Sequence, residues 1–213
     1  MKTVSGCVWF GLILLPLSSS TCAQRVTIAV FNDAQVGSSA LASAEANASR
    51  IFTQAGVETT WVNCSRYSSG PPGNKDCSAV EFPRHLHLRI LPRSRTLSGS
   101  ILGTSYLADD QTGCYSDVFF EPILAMRLNR GESEGAALGH VMAHEIAHLL
   151  LGSNSHASAG IMRAEWHGTE LLAASRGALL FTSEESRRMR EKLSEGVTGR
   201  AGRSVSSAGG MGH

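Results

Sequence analysis

Residues 140–166, HVMAHEIAHLLLGSNSHASAGIMRAEW, hold two histidines four positions apart with a glutamate between them. On a helix, His144 and His148 project from one face a turn apart, so two imidazoles can bind one metal ion. Glu145 adjoins the first of them, where a carboxylate reaches metal-held water without ligating. Zinc suits this pattern: it takes nitrogen ligands, and a catalytic site needs three protein ligands and one open position. It lowers the pKa of its water to about 7 and polarises a carbonyl. A carboxylate base can then deliver hydroxide to an amide and pass the proton to the leaving nitrogen. The expected cofactor is Zn2+, and the expected reaction is hydrolysis of peptide bonds, falling off in acid as the histidines protonate.

The flanks favour this reading over a surface ladder of histidines, which the four-residue step to His140 also allows. Val141, Ile146, Ala147, Leu149 and Leu150 keep charge away from the motif. Glu145 stands among Met142, Ala143, Ile146 and Ala147, where an unpaired carboxylate is costly. His140 is read as a structural or supporting residue and not as a ligand.

The segment resembles the metzincin zinc peptidases, whose signature H-E-x-x-H-x-x-G-x-x-H with a later Met-turn is approached by HEIAHLLLGSNSH and GIMRA. The resemblance implies His144, His148 and His156 as zinc ligands and Glu145 as general base. It makes Gly152 the turn and Met162 the residue beneath the metal. It also implies a metzincin-like α/β catalytic domain: a twisted, roughly five-stranded sheet with a backing helix, an active-site helix and a C-terminal helix. Three residues, not two, lie on each side of Gly152, so the helix runs one residue further and the following loop is one longer. Glu165, His167 and Glu170 compete with His156 for the third position, and a ligand at Glu170 is the gluzincin-type alternative. Loop reach favours His156. Ala164 stands where some metzincins carry a tyrosine, which leaves the oxyanion stabiliser unassigned, with Arg163 and His167 in the vicinity.

The elements that must position these residues are legible from periodicity. RVTIAVFN, from Arg25, reads as a buried strand, and residues 38–55 as a helix with Leu41, Ala44, Ala48, Ile51, Phe52 and Ala55 on one face. Gly56 is a helix terminator. VETTWVN is a second strand, which makes a right-handed β-α-β crossover the default. RHLHLRIL alternates, with Leu86, Leu88 and Ile90 inward and His85, His87 and Arg89 toward solvent. GSILGTSYLA is a short edge strand, weakened by Gly99 and Gly103 and able to pair with an extended peptide. CYSDVFFE is a fifth strand. A long helix runs from Ser133 to Gly152, a loop carries 153–170, and TSEESRRMREKL opens a last helix with a Thr182–Glu185 capping box.

Length and charge fit one soluble domain: 213 residues, with 19 basic against 18 acidic and no run of one sign. That balance gives no footprint for nucleic acid. Residues 1–23 read as a signal peptide, with Lys2, an apolar run from Cys7 to Leu17, and small residues before the cleavage point. Residues 24–193 then form the zinc peptidase-like domain, and 194–213, rich in Gly, Ser and Arg, a disordered tail. The mature protein is expected to be secreted or otherwise extracytoplasmic, monomeric, free of membrane contact, and partnered by a peptide or protein substrate. In that oxidising setting Cys64 and Cys77 close a Gly/Pro/Ser-rich loop as a disulfide, leaving Cys114 as a free thiol. The runner-up function is an exported zinc-binding domain without catalysis.

Overall fold

The computed structural model describes residues 24–65, 75–96, 101–128 and 133–204. The signal-peptide reading of residues 1–23 falls outside these. Strand β1 (Gln24–Asn32) turns Val26, Ile28 and Val30 into the core. Helix α1 (Ser38–Gln54) buries Leu41, Ala44, Ala48, Ile51 and Phe52, a stripe at helical spacing. Gly56 ends it with φ of 75°, a left-handed conformation that glycine adopts without steric cost. Strand β2 (Val57–Cys64) then pairs parallel to β1.

Short helix α2 (Lys75–Ser78) follows, tied to the end of β2 by the Cys64–Cys77 disulfide, with Cα atoms 5.7 Å apart. Cys114 is free and half-buried. Strand β3 (His85–Leu91) buries Leu86, Leu88 and Ile90 completely. Its other face is half-exposed, and its histidines are held by the α2 segment. His85 Nε2 donates to the Asp76 carbonyl at 2.6 Å and His87 Nε2 to that of Ala79 at 2.7 Å. Both rings are half-buried because they satisfy the backbone of the α2 segment.

Strands β4 (Gly103–Tyr106) and β5 (Tyr115–Phe119) complete a five-stranded sheet of order β2-β1-β3-β5-β4. All neighbours run parallel except β4, the antiparallel edge strand. Phe120 and Glu121, expected in the fifth strand, begin helix α3 (Phe120–Leu128) instead. Helix α3 was not legible, because FEPILAM is apolar apart from Glu121 and carries no helical stripe. Pro122 sits in its first turn, where the missing N–H costs nothing.

Helix α4 (Glu134–Leu151) is the centre of the molecule. Ser133 Oγ caps it by accepting from Ala136 N at 3.2 Å, and Gly152 ends it with φ of 61°. Every residue from Ala137 to Leu150 is buried. Close approach to α1 makes this possible: a β-carbon on Gly139 would stand 2.5 Å from the Ala44 carbonyl oxygen. Helix α5 (Gly168–Ser175) begins inside the expected 153–170 loop and runs on through residues for which the sequence predicts no element. Its two turns are too short to show a period, and Glu170 caps it by accepting from His167 N at 3.1 Å. Helix α6 (Ser183–Ser204) opens on the expected capping box, with Thr182 N donating to Glu185 Oε2 at 2.8 Å and Glu185 N to Thr182 Oγ1 at 3.3 Å. It continues past residue 193, the expected end of the domain. At that point Ser194 Oγ donates to the Glu191 carbonyl, and Lys192 faces Glu195. Among the described residues no helix is long and apolar enough to cross a membrane.

The disulfide closes a loop of 13-residue separation. Replacing Cys64 and Cys77 together by serine is expected to lower stability by about 3 kcal/mol, the chain-entropy value for a loop of that length. Urea unfolding of the oxidised wild type beside the double variant measures it.

Candidate metal centre

Helix α4 presents His144 and His148 one turn apart, and the loop after Gly152 returns His156 to them. The ligand-capable atoms of the three all lie within 4.8 Å of one another. His156 stacks on His144 at 5.4 Å between ring centroids and meets His148 edge-on at 5.0 Å. Two of these side chains are buried and His156 is exposed. The longer spacing around Gly152 is absorbed at the helix end. Ser153 N donates to the His148 carbonyl at 3.2 Å, and His148 Nδ1 donates to the Ser153 carbonyl at 2.7 Å.

Tautomers follow from the acceptors. His144 Nδ1 lies 2.8 Å from the Ile161 carbonyl, and His148 Nδ1 faces Ser153 O, so both Nδ1 atoms carry the proton. Both Nε2 atoms are then bare lone pairs, yet they stand only 3.0 Å apart. Two lone pairs at that distance repel unless a cation lies between them. In a tetrahedral site with zinc–nitrogen bonds of 2.0–2.1 Å, ligand nitrogens are about 3.3 Å apart, close to this separation. The donor set therefore fits a metal ion, and a nitrogen-rich, three-ligand set is the kind zinc takes.

Electrostatics agree. Burial, reinforced by the neighbouring His148, pulls the His144 pKa down to about 3. Burial also lowers that of His148. Both are neutral at pH 7, the form that ligates. Burial acts in the opposite sense on Glu145, which is 5% exposed, and raises its carboxyl to about 7 despite a hydrogen bond from Ser105.

Glu145 is seated against β4. Ser105 Oγ donates to Glu145 Oε2 at 2.8 Å, and a β-carbon on Gly103 would come within 2.6 Å of Glu145 Cγ and Oε1. Neither role was anticipated; the available signal was two small residues at strand period, on the face that meets the long helix. Trp166 was also missed. Its Nε1 donates to the Ile161 carbonyl at 3.1 Å, the same oxygen that holds His144, and its ring meets His144 edge-on at 5.9 Å.

The remaining sequence candidates have other occupations. Met162 is fully buried in the core, and its carbonyl accepts from Ala157 N, which ties the turn to the His156 loop. Glu170 accepts from Arg163 Nη1 at 2.7 Å and caps α5, so it is not brought to the histidines. Glu165 and His167 are exposed and face each other at 3.5 Å. His140 is buried, donates to the Ala136 carbonyl, and lies edge-on to Trp166 at 6.3 Å, outside the cluster of three. A cleft of about 690 Å³ opens over the histidines, bounded by Gly103, Met126, Glu145, His156, Arg163 and Trp166 among others.

No protein-family model and no curated protein sequence matches the chain. In structure it is similar to a zinc-dependent peptidase from Methanocorpusculum labreanum, at TM-score 0.50 and 12% identity, covering 76% of this chain and 99% of that one. It is likewise similar to an archaemetzincin from Methanopyrus kandleri, at TM-score 0.53 and 11% identity, covering 82% and 99% of the two chains. The α/β architecture expected from the sequence is therefore one this chain shares with both structures, along nearly their whole length.

Proposed function

We propose that this protein is an exported zinc-dependent metalloendopeptidase. The observation that carries the reading is the pair of bare His144 and His148 nitrogens 3.0 Å apart beside a seated Glu145, with His156 within reach. His144, His148 and His156 would hold Zn2+, with Met162 packed in the turn below. The two solved structures of similar fold are described as a zinc-dependent peptidase and an archaemetzincin, which supports the same choice of metal and reaction. Zinc supplies Lewis acidity, which polarises a carbonyl and makes water a nucleophile near neutral pH.

The chain's own residues do the rest. Glu145 accepts a proton from the attacking water at its cleft-side oxygen and returns it to the leaving nitrogen. Its place at the cleft, with one oxygen held by Ser105 and the other open, lets one group serve in both directions. Strand β4, which pairs on one side only among the described strands, would offer its other edge to an extended peptide, and Gly103 on it borders the cleft. Removal of residues 1–23 and folding of 24–193 outside the cytoplasm accord with the Cys64–Cys77 disulfide. Glu145 set at the cleft beside the histidines favours catalysis over a zinc-binding domain without activity.

Metal analysis of purified protein is expected to give one zinc per chain in wild type and in Glu170→Ala, and loss of zinc in His156→Ala. Retention in His156→Ala with loss in Glu170→Ala would reverse the ligand assignment. Glu145→Ala is expected to keep zinc and lose about 10²–10⁴-fold in peptide hydrolysis, the usual contribution of a positioned general base. Full activity in that variant would sink the mechanism.

A further inference from the structure

A buried carboxylate needs donors, and Glu145 finds one on a strand that is 40 residues away in sequence. Ser105 Oγ lies 2.8 Å from Glu145 Oε2 and also 2.8 Å from the main-chain oxygen of Glu145. A serine has one proton, so the two oxygens share a single donor. Ser105 is itself buried on β4, directly opposite Ser116 of β5. Gly103, two residues earlier, faces the same side and leaves room for Oε1 that any β-carbon would fill. Gly103 and Glu145 border the cleft; Ser105 does not. The carboxylate is therefore held at its inner oxygen by a hydroxyl and open at its outer oxygen beside bare backbone.

We propose that Ser105 is the positioning residue of Glu145. It fixes Oε2 so that Oε1 stays turned to the cleft. The terminal torsion of a glutamate is soft and two-fold, so without a donor on one side the two oxygens exchange freely. A charge-assisted O–H···O bond removes that freedom. Because Ser105 belongs to the edge strand, the same four residues that offer backbone to a peptide also aim the base. The catalytic consequence rests on the peptidase reading; the hold on Glu145 does not.

A double-mutant cycle on metal-free protein tests the hold directly. Thermal midpoints are measured for wild type, Ser105→Ala, Glu145→Ala and the pair. In the Glu145→Ala background Ser105 keeps its main-chain acceptor, so the cycle isolates the side-chain contact. The double variant is expected to lose at least about 2 °C less than the sum of the single losses. Additive midpoints overturn the proposal whatever the activity. On zinc-loaded protein with fluorescein-labelled casein, Ser105→Ala is expected to lower kcat about ten- to hundredfold with KM and zinc content unchanged. Ser105→Thr, which keeps the hydroxyl, is expected to recover most of that loss. An unchanged kcat in Ser105→Ala, or a loss confined to KM, overturns the positioning role. Wild-type protein that loads zinc and leaves casein intact overturns the peptidase reading, and the cycle still decides the contact between Ser105 and Glu145.

Discussion

The structure depends on one constraint: α4 is buried on all sides from Ala137 to Leu150 and yet carries four polar side chains in that stretch. The carbonyls of a buried helix are taken up in its own ladder, so most of the partners come from elsewhere, and an unmade bond costs about 1–3 kcal/mol or more for a charged group. His148 recruits the Ser153 carbonyl, His144 that of Ile161, and Glu145 the Ser105 hydroxyl. His140 turns back on its own helix at Ala136. These bonds fix the loop after the helix, the turn at Ile161–Met162 and the edge strand in one arrangement. The glycines that let α1 approach α4 are the other half of the same constraint, since they make the burial possible.

The same burial sets the charge states. It disfavours the charged form of both residue types, which leaves the histidines neutral and brings the glutamate close to neutrality. A second buried carboxylate, Asp117 on β5, adds to the rise at Glu145. Asp117 is well compensated. Arg89 grips both its oxygens, at 2.7 and 2.6 Å, and the Tyr106 hydroxyl donates to one of them at 2.8 Å. Two acidic groups thus sit near each other inside the sheet edge with opposite fates, one clamped by an arginine and the other left with a single shared hydroxyl.

The parts of this architecture visible in the sequence are those written in local periods. Val26, Ile28 and Val30 alternate as a strand does; Leu41, Ala44, Ala48 and Ile51 recur as a helix does; Thr182 and Glu185 cap as their spacing requires. The grouping of His144 with His148 was legible because residues four apart share one helix face, a turn from each other. His156 rested on the resemblance and on what a loop can reach, because no local period ties it to the helix. Helix α3 was hidden because a run apolar but for Glu121 gives no stripe, and α5 because two turns show no period. Ser105 and Trp166 were hidden for another reason. Their value lies in contacts with Glu145 and Ile161 that strand and loop patterns do not encode. The alternation of β3 showed which side chains leave the core, and not that the Asp76 and Ala79 carbonyls would hold His85 and His87.

Strand β4 has one more consequence. A strand edge that lends its backbone to a guest is also an invitation to a second copy of itself, and long flat edges seed aggregates. β4 is only four residues long, which at about 3.4 Å per residue gives a template of roughly 14 Å. Its antiparallel pairing and the tether of Tyr106 to Asp117 hold it down on β5. Such a template is long enough to align a few residues of a passing chain and too short to stitch two molecules together. Brevity of this kind blunts edge-to-edge association while leaving β4 open to the short peptide pairing proposed above.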